Sequence, residues 1–194
     1  MMAANAVILY TPDVAIEGGL IMRFQAIMRV ACAAALAMAV IGSPLRVLGQ
    51  ADGTILKPAD TQKLLPASVY YKAQSAPTQL RNSGGVKFSD GYYVLATLVD
   101  TSGYSSDVAA KYQAYFIAEV PLKFGSETLP AGIYGVGFIQ GDKFVVTDVG
   151  GHDVFTVGSQ TDDAIKRPTP LQMMADPSGG FRLYTGRKFV KFSR

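Results

Sequence analysis

From Ser68 to Arg194, short runs of Val, Ile, Tyr and Phe alternate with clusters of Gly, Asp, Ser and Pro. That punctuation restricts the chain to short extended segments joined by turns. The spacing predicts strands at Val69–Gln74, Val86–Phe88, Tyr92–Asp100, Ala114–Val120, Ile133–Gln140, Lys143–Val149, Asp153–Ser159, Leu171–Ala175, Phe181–Tyr184 and Lys188–Phe192. So many strands predict a single all-β domain over 68–194, either an antiparallel β-sandwich or a small closed β-barrel. An outer-membrane barrel is the competing form, but short strands and a final Arg194 rather than an aromatic residue count against it.

Turn chemistry supports the strand list. Asp90–Gly91, Gly141–Asp142 and Pro177-Ser-Gly-Gly180 each separate two runs and supply Gly where positive φ is needed. One helix signal interrupts the strands: Ser105–Ser106 as a hydroxyl N-cap, Asp107 in the first turn, and Val108 and Tyr112 at i, i+4. It predicts one short helix near 105–112. The segment 52–67 holds Pro58, Asp60 and Pro66 and is expected to be a lead-in with a single helical turn. In Ile133–Gln140, Tyr134, Val136 and Phe138 alternate on a bulky face suited to a core, whereas Gly135 and Gly137 fall on the other. Glycines at alternate strand positions mark a bend, a bulge or the close approach of another group.

The region before Asp52 has a different texture. Arg23 and Arg29 precede a twelve-residue uncharged run, Val30 to Ile41, which is followed by Ser43–Pro44 and small residues at Gly49 and Ala51. This is the order of a secretory signal peptide over 22–51, and twelve residues are too few for a spanning helix. Met1 to Ile21, with Pro12, Asp13 and Glu17, fits poorly in front and reads as a misassigned upstream extension. The expected destination is periplasmic or extracellular, with no membrane span in the mature chain. Cys32 is the only cysteine and lies inside the apolar run, so the mature chain has no thiol for a disulfide, a nucleophile or a metal. Residues 52–194 carry 15 Lys and Arg against 13 Asp and Glu, too even a balance for a nucleic-acid surface. Their 18 Phe and Tyr also argue against disorder.

Thr128-Leu-Pro-Ala-Gly-Ile-Tyr134 resembles an "L-P-A-G-x-Y" turn-into-strand phrase of small exported bacterial β-domains. With Asp100-Thr-Ser-Gly-Tyr104, Lys111-Tyr-Gln113 and Gly150-Gly-His-Asp153, the chain resembles an uncharacterised family of small secreted bacterial all-β proteins. The resemblance implies export and an all-β fold, and it implies no activity.

Candidate chemistry is sparse. His152 is the sole histidine, so no multi-histidine metal site exists, and any imidazole mechanism must use it, with Asp153 as the adjacent carboxylate to orient the ring. Gly150 and Gly151 beside it read equally as a turn. Glu119, Glu127, Asp142, Asp148 and Asp153 are the acids eligible for a glycosidase-type pair, and Glu119 stands out between apolar neighbours. Asp100-Thr-Ser-Gly103 is similar to an aspartic-protease loop but has one residue too many, and Asp opening a turn explains it. No metal site and no cofactor are expected. Outward tyrosines offer a contact platform, with Tyr92, Tyr104, Tyr134, Gly135 and Gly137 as the ligand-binding candidates. Arg182, Arg187, Lys188, Lys191 and Arg194, with no acid after Asp176, form a basic tail that could meet an anionic surface. These features favour an exported, non-catalytic binding or interaction module of the bacterial envelope, with an envelope polymer, peptide or protein as partner. The alternative is an exported hydrolase acting on a polysaccharide or peptide. Neither the ligand nor the oligomeric state is legible in the sequence.

Overall fold

The turns expected from sequence set the frame. Phe88 accepts from Gly91 N–H and donates to Tyr92 O around Asp90–Gly91, with Gly91 at φ 93°. Gly141 and Asp142 both take positive φ, 75° and 51°, the pattern of a two-residue hairpin loop. Between such turns, a computed structural model describes residues 52–194. The signal peptide and the upstream extension lie outside the described residues.

The strands are β1 (Thr54–Leu56), β2 (Ser68–Tyr71), β3 (Gln74–Lys87), β4 (Tyr93–Val99), β5 (Ala114–Ala118), β6 (Leu122–Phe124) and β7 (Glu127–Leu129). They continue as β8 (Gly132–Ile139), β9 (Lys143–Thr147), β10 (Asp153–Gly158), β11 (Gln160–Thr161), β12 (Gln172–Ala175), β13 (Phe181–Thr185) and β14 (Lys188–Phe192). Two short helices, α1 (Pro58–Thr61) and α2 (Ser106–Lys111), complete the described elements. The domain is therefore mostly β, and its pairings are antiparallel. One sheet runs β1-β3-β4-β5-β8-β9-β10, with β2 also on β3; a second runs β11-β14-β13-β12; β6 and β7 form a separate hairpin.

The closed β-barrel is not the form taken. β10 pairs with β9 alone, so the first sheet stays open. After Gly158 the chain leaves that sheet through Ser159 and continues as β11 on the edge of the second. The helix expected near 105–112 forms as α2, with Ser105 in the extended N-cap conformation but without a side-chain cap bond.

Two other departures have local causes. Val69–Gln74 is not one strand, because Lys72 and Ala73 take φ 48° and 64° and fold β2 back onto β3. Neither residue is Gly or Asn, so nothing in the composition announces a turn. β3 is fourteen residues long although only its Val86–Phe88 end reads as a strand, since Gln74 to Ser83 is largely polar. An irregularity between Gln79 and Ser83 bends it. The lead-in is part of the domain: β1 pairs with β3, Leu65 is buried, and Thr61 Oγ1 meets Ser83 Oγ at 2.6 Å.

Val86, Val94, Phe116, Val136, Phe144 and Val146 of the first sheet share one core with Met173, Phe181, Leu183, Val190 and Phe192 of the second. Phe124 of β6 joins them, its ring 6.3 Å from Phe116, 5.9 Å from Phe144, 5.6 Å from Phe155 and 5.8 Å from Phe192. Each such side chain stabilises by about 1.5–3 kcal/mol through removal from water. A smaller cluster of Val69, Tyr71, Ala76, Val99 and Tyr112 is separate from this core.

Candidate functional site

The His152 region is a turn stitched by one carboxylate. Asp148 Oδ1 accepts from the backbone N–H groups of Gly150 and His152, both at 2.9 Å, and Oδ2 lies 3.1 Å from His152 Nδ1. Donation from the His152 N–H is the main cause that lowers the Asp148 pKa below the ordinary carboxylate value. The imidazole side chain is 83% exposed. Its carboxylate partner is Asp148, four residues back, and not Asp153, which instead holds Lys111 Nζ at 2.7 Å. The reason is the antiparallel turn: Asp148 and His152 face each other across it, whereas Asp153 has entered β10.

Glu119, Asp142 and Asp100 also have partners of their own. Glu119 Oε2 accepts from Tyr93 N–H at 2.8 Å and caps the β4–β5 ladder where it ends. Asp142 pairs with Lys188 at 3.5 Å. Asp100 Oδ1 accepts from Ser102 N–H at 3.1 Å, so the protease-like string is a turn in which the side chain satisfies local backbone. Among the described residues no three His, Cys, Asp or Glu side chains come together to hold a metal ion.

The tyrosine and glycine candidates do not assemble into one surface. Gly135 and Gly137 lie where the end of α2 crosses β8: a Cβ on Gly135 would stand 2.3 Å from Tyr112 Cδ2, and one on Gly137 2.2 Å from the Lys111 carbonyl oxygen. The space beside them is filled by protein. Tyr112 in turn stacks on Tyr71 at 3.7 Å with the rings 6° from parallel, and burial pushes its phenol well above the ordinary tyrosine range. Tyr104 packs edge-on against both, its hydroxyl donating to the carbonyls of Tyr71 and Gln74. Tyr134 donates to Pro130 O at 3.0 Å and so pins the Leu-Pro-Ala-Gly turn that leads into β8. Tyr92 is half exposed in the β3–β4 turn, under the Arg194 guanidinium at 5.9 Å.

The basic tail is largely neutralised from within. Buried Asp176 accepts from Arg182, from Lys191 at 3.1 Å and from Ser178 N–H at 2.7 Å. Burial alone would raise its pKa; the donors from Ser178, Arg182 and Lys191 outweigh it and hold the carboxyl well below the ordinary range. Arg194 pairs with Asp90 at 2.5 Å, and Arg187 donates to Ile165 O.

A recess that the sequence does not announce lies between β10, the β6–β7 hairpin and β14. This cleft, about 420 Å³, is lined by Phe124, Glu127, Thr156, Val157, Phe189 and Lys191 among others. Gly125 and Gly158 border it with open space where a side chain would stand. Its residues come from five strands, β6, β7, β10, β11 and β14, in three stretches distant in sequence, so no single run announces it. A second recess, about 320 Å³, lies between β1, the bend of β3 and the segment before β12. No described helix is long and apolar enough to cross a membrane. No protein-family model, curated protein or solved structure matches the chain, so the family resemblance rests on its short motifs alone.

Proposed function

We propose that the chain is an exported, non-catalytic binding module of the bacterial envelope, a two-layer β-sandwich whose contact surface is the cleft between β10 and the β6–β7 hairpin. The sandwich reading is supported by the single core to which both sheets contribute. Export is supported by the Arg23/Arg29, apolar-run, small-residue order. N-terminal sequencing of protein recovered from its native host tests it: a start near Gln50 or Asp52 is expected, and a mature chain beginning at Met1 would overturn it.

The observation that carries the binding reading is the pairing of polar groups. Catalysis needs acid, base or nucleophile converging on a recess, yet His152 sits exposed on a turn and Asp153 is engaged by Lys111. In the cleft, the Lys191 amine is engaged by Asp176, which leaves Glu127 as the one carboxylate of the lining. A lining that sets Phe124, Val157 and Phe189 beside Ser126, Glu127, Thr156 and Gln160 offers apolar contact and hydrogen bonds together, as a recognition site does. The competing hydrolase is tested by incubating residues 52–194 with envelope polysaccharide and peptide substrates. Saturable binding without turnover is expected; turnover abolished by His152→Gln would overturn the proposal.

A further inference from the structure

The cleft has a feature that narrows the ligand: two strand edges leave peptide groups unpaired inside it. Along β10, Ser159 N–H donates to Asp142 O at 2.7 Å, and Val157 and Phe155 stand opposite Phe144 and Val146. Peptide groups in an antiparallel ladder alternate in direction, so Phe155, Val157 and Ser159 face β9 while Thr156 and Gly158 face away. Thr156 and Gly158 have no backbone partner on that side among the described residues. Along β14, Ser193 exchanges two hydrogen bonds with Lys123 and Phe189 pairs with Gln160. Lys191, halfway between, therefore points its N–H and C=O outward with neither β6 nor β11 opposite it.

Building on the binding-module reading, we infer that the cleft takes an extended peptide of a partner protein, which adds as a strand to the free edge of β10 and carries a Lys or Arg. Open N–H and C=O groups at Thr156 and Gly158, two residues apart, repeat at the period of an extended chain and complement another one. The edge is guarded only at its start, by Asp153 and the irregularity between Asp153 and Phe155; beyond that, Phe155-Thr-Val-Gly158 has neither charge nor proline, the other devices that discourage strand addition. Buried Phe124 and Phe189 and half-buried Val157 supply the apolar part of the lining. The β6–β7 hairpin contributes Phe124, Gly125, Ser126 and Glu127 to the same lining. Charge sets the remaining preference, because Glu127 is in the lining and has no ion-pair partner among the described residues.

The test uses residues 52–194 on an array of random hexapeptides, beside the variants Thr156→Pro and Glu127→Lys. Thr156→Pro removes a donor that the domain itself does not use, and its thermal midpoint is measured in parallel to confirm folding. Expected is a set of peptides with alternating Val, Ile or Thr and a Lys or Arg, each bound about tenfold more weakly by Thr156→Pro. Glu127→Lys is expected to shift the preference toward peptides with Asp or Glu. N-methylation of the best peptide at every second nitrogen should abolish binding in one phase and spare it in the other. Peptides that fail to distinguish the wild type from a folded Thr156→Pro variant would overturn the inference. So would dimerisation through β10, seen as a concentration-dependent mass lost in Thr156→Pro. If peptides fail while oligosaccharides shift the Thr156 and Lys191 amide signals, the binding module stands and the peptide ligand falls. If no ligand moves those signals, both fall.

Discussion

His152 and Asp176 show how differently two polar residues can be read from their neighbours. The ring of His152 hangs outside a turn that Asp148 holds through backbone N–H groups. His152→Gln should therefore change stability by less than about 0.5 kcal/mol, whereas Asp148→Ala, which strands two donors, should cost about 1 kcal/mol. Urea unfolding of the two variants separates them. Asp176 reads as a lone acid before a basic tail; folded, it gathers Arg182, Lys191 and Ser178 around one buried carboxylate. Asp176→Asn should cost about 2 kcal/mol, since it leaves the Arg182 guanidinium with only the longer pair to Asp162 at 3.6 Å. Its pH signature follows from the depressed pKa. The carboxylate's contribution is complete above an unfolded value of about 4 and is lost as pH falls below that toward the folded value. Denaturation midpoints at pH 6 and pH 3 should differ more for the wild type than for Asp176→Asn. None of this network was legible, because it joins a residue of one turn to the side chains of two later strands.

At the scale of elements, sequence and structure agree where Gly, Asp or Pro marks the joints. Of the bend, bulge or close approach that the alternation Gly135-Val-Gly137 left open, the structure has a close approach, of the Lys111–Tyr112 end of α2. Gly137→Ala should destabilise by about 3 kcal/mol or more, since the Lys111 carbonyl is backbone and has no rotamer by which to retreat. Calorimetry checks it. The β2–β3 turn was illegible for the opposite reason: Lys72 and Ala73 adopt positive φ at a steric cost that composition does not reveal. Lys72→Asn with Ala73→Gly gives that turn the residues it favours and should raise stability by about 1 kcal/mol, read as a higher thermal midpoint. β6, β7 and β11, each two or three residues long, were missed because nothing so short carries a period.

At the scale of the whole described domain, the order of strands is not legible in any single run, although the all-β class and most turns are. β5 lies beside β8 with the β6–β7 hairpin looped out between them, and β14 is inserted between β13 and β11. Such neighbours are chosen by side-chain fit across the core, a property of pairs that no single run displays. Phe124 is the clearest case: it reads as one apolar residue before a glycine, yet its ring touches partners in both sheets. Phe124→Ala should cost about 4 kcal/mol and weaken both sheets together, so that far-ultraviolet dichroism and tyrosine fluorescence lose their signals in one transition. Two separate transitions would mean that the layers are independently stable.

The insertion of β14 also has a consequence in time. Val190 and Phe192 are core residues, and β14 supplies partners to β13, β11 and, through Ser193, β6. A chain being synthesised at about 5–20 residues per second carries its other strands for several seconds before the one that completes both the second sheet and the core emerges. Until then, the inner face of the first sheet lacks the part of its cover that Val190 and Phe192 supply. The second sheet likewise lacks the strand that joins β13 to β11, and the core that both sheets share stays incomplete.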